Sequence, residues 1–598
     1  MKEFFRTLFA CLVALFLAGA MWMFMFFVVL GTVLSLEEPR PEVPDGAVLV
    51  FDTTVNLVDK PVAEDEQMLS MLFDSGEPSR MQLRQVVDAI DAAAKDDRIS
   101  AILLHGNFMP MDLGTGYPSI IEVRRALERF RESGKPIIAY LVGPSMQDHL
   151  VASVADRIIM DPMGVIDVAG LSAEVAYMGG TLEKIGVGIQ IARAGEYKSA
   201  GEAFKERHMS PQEREQITAL LGDIWKQWLA EVGRSRGLPP EQLQKIVDER
   251  GVLSFEPARE LGFVDEGLGL AELIEDLKET YGESDDEETF RQVSMFNYLT
   301  VRRHERRERR SAPVVAVVYA EGQIVDGESS GAYLGGDSLA RTLRAIGSRD
   351  DVAAVVLRVN SPGGSAIASE VIRRELERLH EDVPIVVSMG MVAASGGYWI
   401  STESDHIFAE SSTITGSIGV IAILPDIQKL GEKIDLNFET VRTGEHAGIF
   451  SIVEPRSEAS LAVIQSLVDE TYEKFKTLVS EGRGIELEQV EAIAGGRVWS
   501  GEDALERGLV DEIGGLREAV AHAAKLAELD EYRVLEWPQP KDFLERLRER
   551  IKDSANPIAG KGPAGELRRY LEDGRRAMEA LNDPGHAYAL MPQVLRVR

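Results

Sequence analysis

The feature that most constrains the fold is a passage of sequence that occurs twice. Residues 193–199 read RAGEYKS, and residues 442–448 read RTGEHAG. Other passages repeat in the same order, with a separation of 249 residues between Lys198 and Ala447 and 246 between Asp265 and Asp511. Because the units of solenoid proteins are only about 20–50 residues long, this spacing predicts two similar domains in tandem.

Each copy alternates short β-rich runs with longer helical patterns. In the second copy the predicted strands are Val314–Tyr319, Ala353–Val359, Ile385–Met389 and Phe438–Val441, and the predicted helices include Ala366–His380 and Leu461–Gly482. This alternation predicts an α/β fold with a largely parallel sheet covered by helices. In such sheets, functional sites form where loops leave the carboxyl ends of the strands.

An apolar run, Leu8–Leu36, lies near the N-terminus and contains no charged residue. It is long enough to span a membrane, which takes roughly 20 apolar residues. Lys2 and Arg6 precede it and Glu37 and Glu38 follow it, an asymmetry that leaves the N-terminus in the cytoplasm and the body outside. We therefore predict a retained transmembrane anchor. The alternative is a cleaved signal peptide, whose apolar region is usually only about 7–15 residues long.

The sequence divides into five predicted regions. They are a cytoplasmic N-terminus with the anchor (1–36), a first repeat (37–282), a charged linker (283–312), a second repeat (313–536) and a peripheral tail (537–598). The linker opens with ESDDEE and closes with RRHERRERR, and charge runs of this kind usually belong to solvated segments.

Composition excludes several functions. The formal net charge of −33 argues against nucleic acid as a partner, because phosphate binding needs a basic surface. Cys11 is the one cysteine, so the body has no thiol nucleophile and the chain no internal disulfide. The sequence contains no HExxH, CxxC or Walker loop, so it predicts neither a metal nor a nucleotide cofactor.

The two copies differ at two positions in a complementary way. Lys198 in the first copy corresponds to Ala447 in the second, at a separation of 249 residues. At the same separation, Ser417 in the second copy corresponds to Val168 in the first. One copy therefore holds a lysine and the other a serine, a pattern that a single site assembled from both halves would explain.

A serine and a lysine together can perform acyl transfer. A serine hydroxyl is a weak nucleophile until a base removes its proton. Burial disfavours the lysine ammonium and lowers its pKa from about 10.4, so that the neutral amine can act as that base. We therefore predict Ser417 as the nucleophile and Lys198 as the general base. His446 is an alternative base, because histidine needs no large pKa shift.

Paired glycines provide a second part of the predicted site. Gly363 and Gly364 follow a predicted strand and open a predicted helix, where backbone N–H groups would be unobstructed. Such donors suit the oxyanion that develops during acyl transfer. Together with the N–H of Ile418, which follows Ser417, they are the candidate oxyanion hole.

These motifs resemble the long, duplicated form of the signal peptide peptidase A (protease IV) family. The resemblance extends from Met1 to about Leu535 and rests on the anchor, the two repeats and four strings: GEYKS (195–199), SPGGS (361–365), ASGGYW (394–399) and TGSIG (415–419). It implies tandem ClpP/crotonase-like repeats, each a spiral of βαβ units, behind the transmembrane helix. It also implies a serine endopeptidase with a Ser417–Lys198 dyad and no cofactor.

The resemblance further implies a place and a substrate. The protein would be a single-pass, membrane-tethered homotetramer of the bacterial inner membrane, with its catalytic body on the periplasmic or other extracytoplasmic side, hydrolysing remnant signal peptides after their release. In shorter family members a GxHK string contains both the ring and the lysine, which makes His446 a structural residue. The alternatives are a crotonase-type thioester hydrolase and an inactive membrane scaffold. The scaffold would have no reason to retain Lys198 and Ser417 in complementary halves.

Overall fold

The computed structural model of the chain describes residues 41–63, 78–111, 113–285, 287–305, 312–540 and 587–591, together with a few isolated positions before residue 26. The strands of the first half are β1 (Ala47–Asp52), β2 (Val55–Val58), β3 (Ser79–Gln82), β4 (Ile99–His105), β5 (Ile137–Leu141), β6 (Arg157–Met160), β7 (Val165–Val168), β8 (Gly188–Ala194), β9 (Gly251–Ser254), β10 (Glu266–Gly267) and β11 (Gln292–Ser294). The helices are α1 (Leu83–Ala93), α2 (Tyr117–Glu132), α3 (Met146–Ala152), α4 (Gly179–Ile185), α5 (Glu202–Lys205), α6 (Pro211–Arg236), α7 (Pro240–Arg250), α8 (Phe255–Glu260), α9 (Leu270–Tyr281) and α10 (Met295–Glu305).

The second half continues the numbering. Its strands are β12 (Val314–Glu321), β13 (Gln323–Val325), β14 (Tyr333–Gly335), β15 (Val352–Ser361), β16 (Gly363–Ser365), β17 (Ile385–Ala394), β18 (His406–Ala409), β19 (Ile414–Gly416), β20 (Val420–Asp426), β21 (Val498–Ser500), β22 (Glu512–Ile513), β23 (Arg533–Trp537) and β24 (Tyr588–Leu590). Its helices are α11 (Gly336–Gly347), α12 (Ala366–His380), α13 (Gly396–Trp399), α14 (Gln428–Lys433), α15 (Glu458–Arg483), α16 (Leu487–Ile493), α17 (Gly501–Glu506) and α18 (Leu516–Leu526).

Each half is built around a parallel sheet with the same strand order. The first sheet runs β10-β6-β5-β4-β1-β11, and the corresponding strands of the second run β22-β18-β17-β15-β12-β23. The central strands are almost uninterrupted apolar runs, such as VVAVVYAE in β12. Parallel strands covered by helices on both faces need such runs, because neither face meets water. The duplicated order confirms the predicted tandem α/β repeats.

A third sheet joins the two halves. Its order is β14-β13-β16-β24-β20-β8, so β8 of the first repeat is the edge strand beside β20 of the second. The two strands are antiparallel, with pairs from Val420–Ala194 to Asp426–Gly188. This pairing brings the segment that follows β8 next to the segment that precedes β20, which contain Lys198 and Ser417 respectively.

One predicted strand is wrong. Residues 438–441 form no strand, and their side chains are half-buried to exposed. At the 249-residue spacing this segment corresponds to β8. The partner of β8 is β20, whose own counterpart in the first repeat, residues 171–177, is not a strand either. Within one chain, residues 438–441 therefore lack the neighbour that makes β8 a strand.

Two regions outside the predicted repeats contribute to the sheets. Within the predicted linker, β11 pairs with β1 and α10 packs beside it, because Val293, Met295 and Tyr298 are apolar and buried. From the predicted tail, β24 lies inside the third sheet. Both regions are therefore part of the folded structure. The sequence predicted a solvated linker and an appendage instead, because isolated apolar residues in charged surroundings give no clear periodic signal.

The predicted anchor lies almost entirely outside the described residues. Among the residues that are described, no helix combines the length and the apolar character that crossing a membrane requires.

Candidate active site

Lys198 is fully buried at the junction of the two repeats. Its Nζ lies 2.6 Å from Ser395 Oγ, 2.8 Å from the Ser417 carbonyl oxygen and 3.1 Å from Ser417 Oγ. All three atoms belong to the second repeat. The structure thus brings together the lysine and the serine that the sequence singled out, and adds a second serine.

A glycine pair from the second repeat allows this close approach. Gly495 and Gly496 both have a positive φ, and the Tyr197 N–H donates to the Gly495 carbonyl oxygen at 2.9 Å. A Cβ on Gly496 would lie 2.6 Å from Lys198 Cβ and 2.7 Å from its backbone nitrogen. Only a residue without a side chain fits there, so the AGGR passage at 494–497 is part of the site. No pattern in the sequence had indicated a role for this passage.

Ser417 is held in place by backbone contacts on the same loop. It follows β19 and has φ of +50°, a left-handed conformation that a residue other than glycine adopts at a cost. Its N–H donates to the Arg497 carbonyl oxygen at 2.7 Å, and its hydroxyl contacts the Gly496 carbonyl oxygen at 3.2 Å. A carbonyl can only accept, so the hydroxyl proton of Ser417 points at Gly496.

Ser395 sits where β17 ends and α13 begins. Its φ is +56° and its ψ −114°, and its N–H donates to the Gly416 carbonyl oxygen at 2.8 Å. A strained serine at a strand-to-helix turn is the arrangement that presents a nucleophile in other hydrolases. The signal in the sequence was the ASGGYW string, but Ser395 was not among the predicted site residues.

Burial sets the protonation state of Lys198. Removal from water lowers the pKa of its amine well below the ordinary value of 10.5. Its hydrogen-bond partners in the described chain are two hydroxyls and one carbonyl, with no carboxylate to stabilise an ammonium. A neutral amine has two N–H groups and one lone pair. If the N–H groups donate to the two Ser417 oxygens, the lone pair faces the Ser395 hydroxyl.

The candidate oxyanion residues lie around these serines. Gly363 has φ of +92°, its N–H donates to Ser361 Oγ at 3.2 Å, and a Cβ on it would lie 2.6 Å from the Gly396 nitrogen. Gly363 is therefore adjacent to the turn that holds Ser395. Gly364 lies one residue further along β16, opposite Ala589 of β24. Ile418 directly follows Ser417, and its side chain is buried in the core.

The remaining candidates lie outside this cluster. His446 is exposed, and its Nδ1 lies 3.2 Å from Ser460 Oγ, not against either serine of the site. The polar groups that contact Lys198 include no thiol, imidazole or carboxylate, the usual protein ligands of transition metals. The chemistry available at the described site is thus that of two hydroxyls and one desolvated amine.

Comparison with known proteins gives a consistent result in both halves of the chain. The model of peptidase family S49 matches residues 129–283 and again residues 377–530. Protease 4 of Haemophilus influenzae is 36% identical over 470 residues, which are 77% of this chain and 75% of that protein. Protease 4 of Salmonella typhi is 32% identical over 96% of this chain and 95% of that one. The chloroplastic serine protease SPPA of Arabidopsis thaliana is 30% identical over 82% of this chain and 71% of that protein.

Proposed function

Since the chain belongs to peptidase family S49 and is a serine endopeptidase with duplicated α/β repeats, we propose that it cleaves peptides with a serine–lysine dyad shared between its two repeats. The observation that carries this proposal is the buried Lys198 amine, within 3.1 Å of two serine hydroxyls of the other repeat. Family membership favours peptide hydrolysis over the thioester hydrolase and the inactive scaffold that the sequence left open.

In this proposal Lys198 is the general base. Its lone pair takes the hydroxyl proton of a serine while the serine oxygen attacks the scissile carbonyl carbon and forms a tetrahedral oxyanion. The resulting ammonium returns that proton to the leaving amine as the C–N bond breaks. Water then hydrolyses the acyl-enzyme and frees the serine. Burial lowers the pKa of Lys198 well below its ordinary value, which favours the unprotonated amine that this step needs.

The sequence pointed to Ser417 as the nucleophile, but the geometry favours Ser395. Ser395 Oγ is the nearer of the two to Lys198 Nζ, at 2.6 Å against 3.1 Å. The Ser417 hydroxyl directs its proton to Gly496, so it can only accept from the lysine. We therefore propose that Ser395 attacks the substrate, and that Ser417 orients the Lys198 amine through its carbonyl and hydroxyl oxygens.

The N–H groups beside Ser395 are the proposed oxyanion hole. Gly396 follows the nucleophile directly, and Gly363 lies against it in the adjoining loop. Oxyanion donors of serine hydrolases are commonly such backbone N–H groups, one of them next to the nucleophile in sequence. Gly363 stays a candidate whose N–H must exchange Ser361 Oγ, at 3.2 Å, for the oxyanion. Ile418 would serve only if Ser417 were the attacking residue.

Labelling with a fluorophosphonate probe tests the dyad on the full-length chain. We expect Ser395→Ala to abolish labelling and Lys198→Ala to slow it at least about 100-fold. Ser417→Ala should slow labelling without abolishing it, and His446→Ala is the matched control that should label like the wild type. If Ser417→Ala is silent while Ser395→Ala still reacts, the nucleophile is Ser417. If only His446→Ala loses labelling, the lysine is not the base.

We also propose that residues 8–36 anchor the protein in the bacterial inner membrane, with the catalytic body outside the cytoplasm. The support is the uncharged length of this run and its flanking charges. The full chain should resist extraction by alkaline carbonate, and a chain lacking residues 1–36 should be extracted. Replacing exposed Met163 with cysteine should allow labelling of intact spheroplasts by an impermeant maleimide. Labelling only after lysis would place the body inside.

Released signal peptides are the proposed substrates. The region after Ser417 is apolar, and Ile421 and Ile423 pack with Ala200 and Phe204 of the first repeat in a cluster beside the dyad. An apolar peptide would bury its side chains there more favourably than a polar one. Synthetic leucine- and alanine-rich signal peptides should be cleaved with a higher kcat/KM than a polar peptide of equal length, and equal values would refute the preference.

The homotetramer that the family resemblance implies has a candidate interface in two segments related to the third sheet. Residues 437–443 and 171–177 are the counterparts of β8 and β20, and neither segment is part of a strand within the described chain. Val441 is 98% exposed. If residues 171–177 of one copy pair with residues 437–443 of the next, as β20 pairs with β8, the contact is head-to-tail and can close into a ring.

Light scattering after size-exclusion chromatography, in detergent, tests this assembly. The wild-type chain should elute with a four-chain mass. Val441→Lys places a charge in the proposed contact and should yield smaller species. Leu270→Lys is the matched control, because Leu270 is also more than half exposed but begins α9, outside both segments. A tetramer that survives Val441→Lys would contradict this interface.

A further inference from the structure

Arg497 belongs to a stack of side chains that crosses the junction between the two repeats beside Lys198. Its guanidinium carbon lies 4.9 Å from the ring centre of Tyr197 and 4.6 Å from that of Trp499. Its Nη1 forms an ion pair with Glu215 of α6 at 2.8 Å, and the Tyr197 hydroxyl donates to the same carboxylate at 3.2 Å. Tyr197 and Glu215 belong to the first repeat and Arg497 and Trp499 to the second, so these four residues form a cross-repeat clamp.

The backbone of the clamp is attached to both halves of the dyad. Tyr197 directly precedes Lys198 on the loop after β8. The Arg497 carbonyl oxygen accepts from the Ser417 N–H at 2.7 Å, and the carbonyl oxygen of Gly496, one residue earlier, lies 3.2 Å from the Ser417 hydroxyl. A side chain that holds Arg497 against Tyr197 therefore also holds Ser417 against Lys198.

Each clamp residue has a chemically different counterpart in the other copy. The counterparts of Tyr197, Glu215, Arg497 and Trp499, at separations of 246 to 249 residues, are His446, Ala462, Gly251 and Leu253, respectively. Glycine supplies no guanidinium and alanine no carboxylate, so the counterparts cannot form the same stack. Like Lys198 and Ser417, the clamp is thus restricted to the halves of the repeats that meet at the site.

The residue types suit a clamp that works at every pH of the assay. A guanidinium is planar, stacks on aromatic faces and stays protonated, whereas a lysine ammonium has no flat face to stack. Tyr197 and Arg497 are partly exposed, while Lys198, the next residue after Tyr197, is fully buried. The clamp therefore borders solvent on one side and the dyad on the other.

We propose that Arg497 is a positioning residue of the serine–lysine site, which keeps Lys198 in register with the serines and excludes water from its amine by stacking on Tyr197 and Trp499. This inference rests on the proposed dyad and names the side chain that holds its two halves together. Arg497 touches no reacting atom, so it acts only through the loops that it joins.

Loosening the clamp should change the dyad in two measurable ways. Arg497→Met keeps an unbranched apolar stem without the guanidinium, and the resulting shift of Lys198 should lower kcat about 10- to 100-fold with KM within about threefold of the wild type. Water that reaches the amine stabilises the ammonium, so the midpoint of the rise of kcat/KM with pH should move up toward 10.5. Arg497→Lys retains the charge but not the stack, and should behave like Arg497→Met.

Arg507→Met is the matched control. Arg507 also stacks on Trp499, at 3.8 Å from the ring centre, but its ion pair, at 2.7 Å, is with Asp503 of the neighbouring α17. The variant therefore removes a cation from the same ring without separating the repeats. We expect its kcat, KM and pH midpoint to match those of the wild type.

The assay measures kcat and KM for a fluorogenic peptide from acid to alkaline pH, with the free energy of unfolding in urea as the check on folding. A folded Arg497→Met with the wild-type kcat and midpoint, an equal loss in Arg507→Met, or full activity in Arg497→Lys would overturn the positioning role. If Arg497→Met does not fold, Tyr197→Leu removes the first-repeat face of the stack and should show the same loss of kcat and rise of the midpoint.

Failure of the dyad itself would give a different result. If Lys198→Ala reacts with a fluorophosphonate probe at the wild-type rate, the lysine is not the base, and the proposed function fails together with the clamp. If Lys198→Ala is slow and Arg497→Met matches the wild type, the clamp alone is wrong.

A second inference, independent of the active site, concerns a side-chain cluster that differs between the repeats. In the first repeat Arg157 forms ion pairs with Glu266 at 2.8 Å and with Asp276 at 2.9 Å. The corresponding residues of the second repeat, at separations of 246 to 249, are His406 on β18, Glu512 on β22 and His522 on α18. Positions that hold an ion-paired arginine and two carboxylates in one repeat therefore hold two imidazoles and one carboxylate in the other.

These three side chains converge closely enough to share an ion. One ligand atom of each lies within 4.8 Å of the other two. Two ligands of a tetrahedral zinc ion are about 3.3 Å apart, and His406 Nε2 lies 3.5 Å from the Glu512 carboxylate. This nitrogen is buried and has no hydrogen-bond partner in the described chain. The two rings are stacked 4.2 Å apart, so the half-buried His522 must turn to direct its nitrogen at the same point.

Two histidines and one carboxylate are a ligand set typical of zinc. We infer that His406, Glu512 and His522 bind a divalent transition metal such as Zn²⁺. The ion would tie β18, β22 and α18 together, as the Arg157 guanidinium ties the corresponding elements of the first repeat.

Calorimetric titration of the metal-free full chain with Zn²⁺ tests this site. We expect one ion per chain, and at least about tenfold weaker binding in His522→Ala. The matched control is His406→Arg with His522→Asp, which recreates the ion-paired set of the first repeat and should keep the fold without the metal. Zinc binding that is unchanged in this double variant, or absent from the wild type at about 1 mM Zn²⁺, would overturn the inference.

Discussion

Adding one methyl group at Gly496 should disable the site without touching a reactive group. An alanine Cβ there would lie 2.6 Å from Lys198 Cβ and 2.7 Å from its backbone nitrogen. Nonbonded carbon atoms are comfortable at about 3.5–4.0 Å, so Lys198 must move by about 1 Å. A displacement of that size in a catalytic group costs about 100-fold in rate, which corresponds to about 2.7 kcal/mol of transition-state stabilisation.

Gly495→Ala is the matched control. Both glycines have a positive φ, +67° for Gly495 and +80° for Gly496, so either alanine should cost about 1–2 kcal/mol of folding stability through the left-handed backbone. A Cβ on Gly495, however, meets nothing within 4 Å. Gly496→Ala additionally overpacks the junction, at about 1–3 kcal/mol. The two variants thus share the backbone effect and differ in the displacement of Lys198.

The assay compares kcat/KM for a fluorogenic peptide with the free energy of unfolding in urea. We expect Gly495→Ala to keep kcat/KM within about threefold of the wild type and Gly496→Ala to lose about 100-fold, both being folded at the assay temperature. If Gly496→Ala retains a third of the activity, Lys198 does not need its observed position. If Gly495→Ala loses as much as Gly496→Ala, the loss arises from backbone strain and not from the clash.

Three further predictions follow from buried charges. Because burial lowers the pKa of Lys198, kcat/KM should rise with pH through a midpoint well below 10.5. Lys198→Arg stays protonated and should be inactive at every pH. A midpoint near 10.5 would refute the lowered pKa. Burial raises the pKa of Glu410 to about 8 from 4.5, so ionising it opposes folding, and the free energy of unfolding should fall by up to about 5 kcal/mol between those pH values. Urea denaturation of Glu410→Gln should lack that fall; an unchanged pH dependence would assign it to other groups. Arg358 joins the repeats through Asp59 at 2.9 Å and Glu122 at 2.8 Å, so Arg358→Met should cost about 3–5 kcal/mol by leaving two buried carboxylates without their cation. A loss under about 1 kcal/mol in the same measurement would mean that these ion pairs do not hold the repeats together.

The sequence by itself determined the architecture of the two repeats, because duplication and apolar patterning are written locally along the chain. The runs around β12, β15 and β17 are apolar on both faces, which only a covered parallel sheet accommodates. The complementary loss of Lys198 from one copy and Ser417 from the other was equally visible, because the comparison of two copies needs no coordinates.

The comparison of the two repeats did not identify Ser395, for a physical reason. A serine also begins the corresponding helix of the first repeat, where Ser145 caps α3. At the 249-residue spacing Met146 stands opposite Ser395, but Ser145 directly precedes it. Serine is a common helix cap, so Ser395 looked like an ordinary cap shifted by one residue. Its distance of 2.6 Å from Lys198 exists only because β8 and β20 pair across the repeats.

The tertiary structure alone decided three further features: the strained turns at Ser395 and Ser417, the close approach of Gly496, and the place of β24 between β16 and β20. Each depends on contacts between residues that are about 20 to 300 positions apart, and local propensity contains no information about such pairs. The removal of water from Lys198 is of the same kind, because desolvation is a property of everything packed around a side chain and not of the side chain itself.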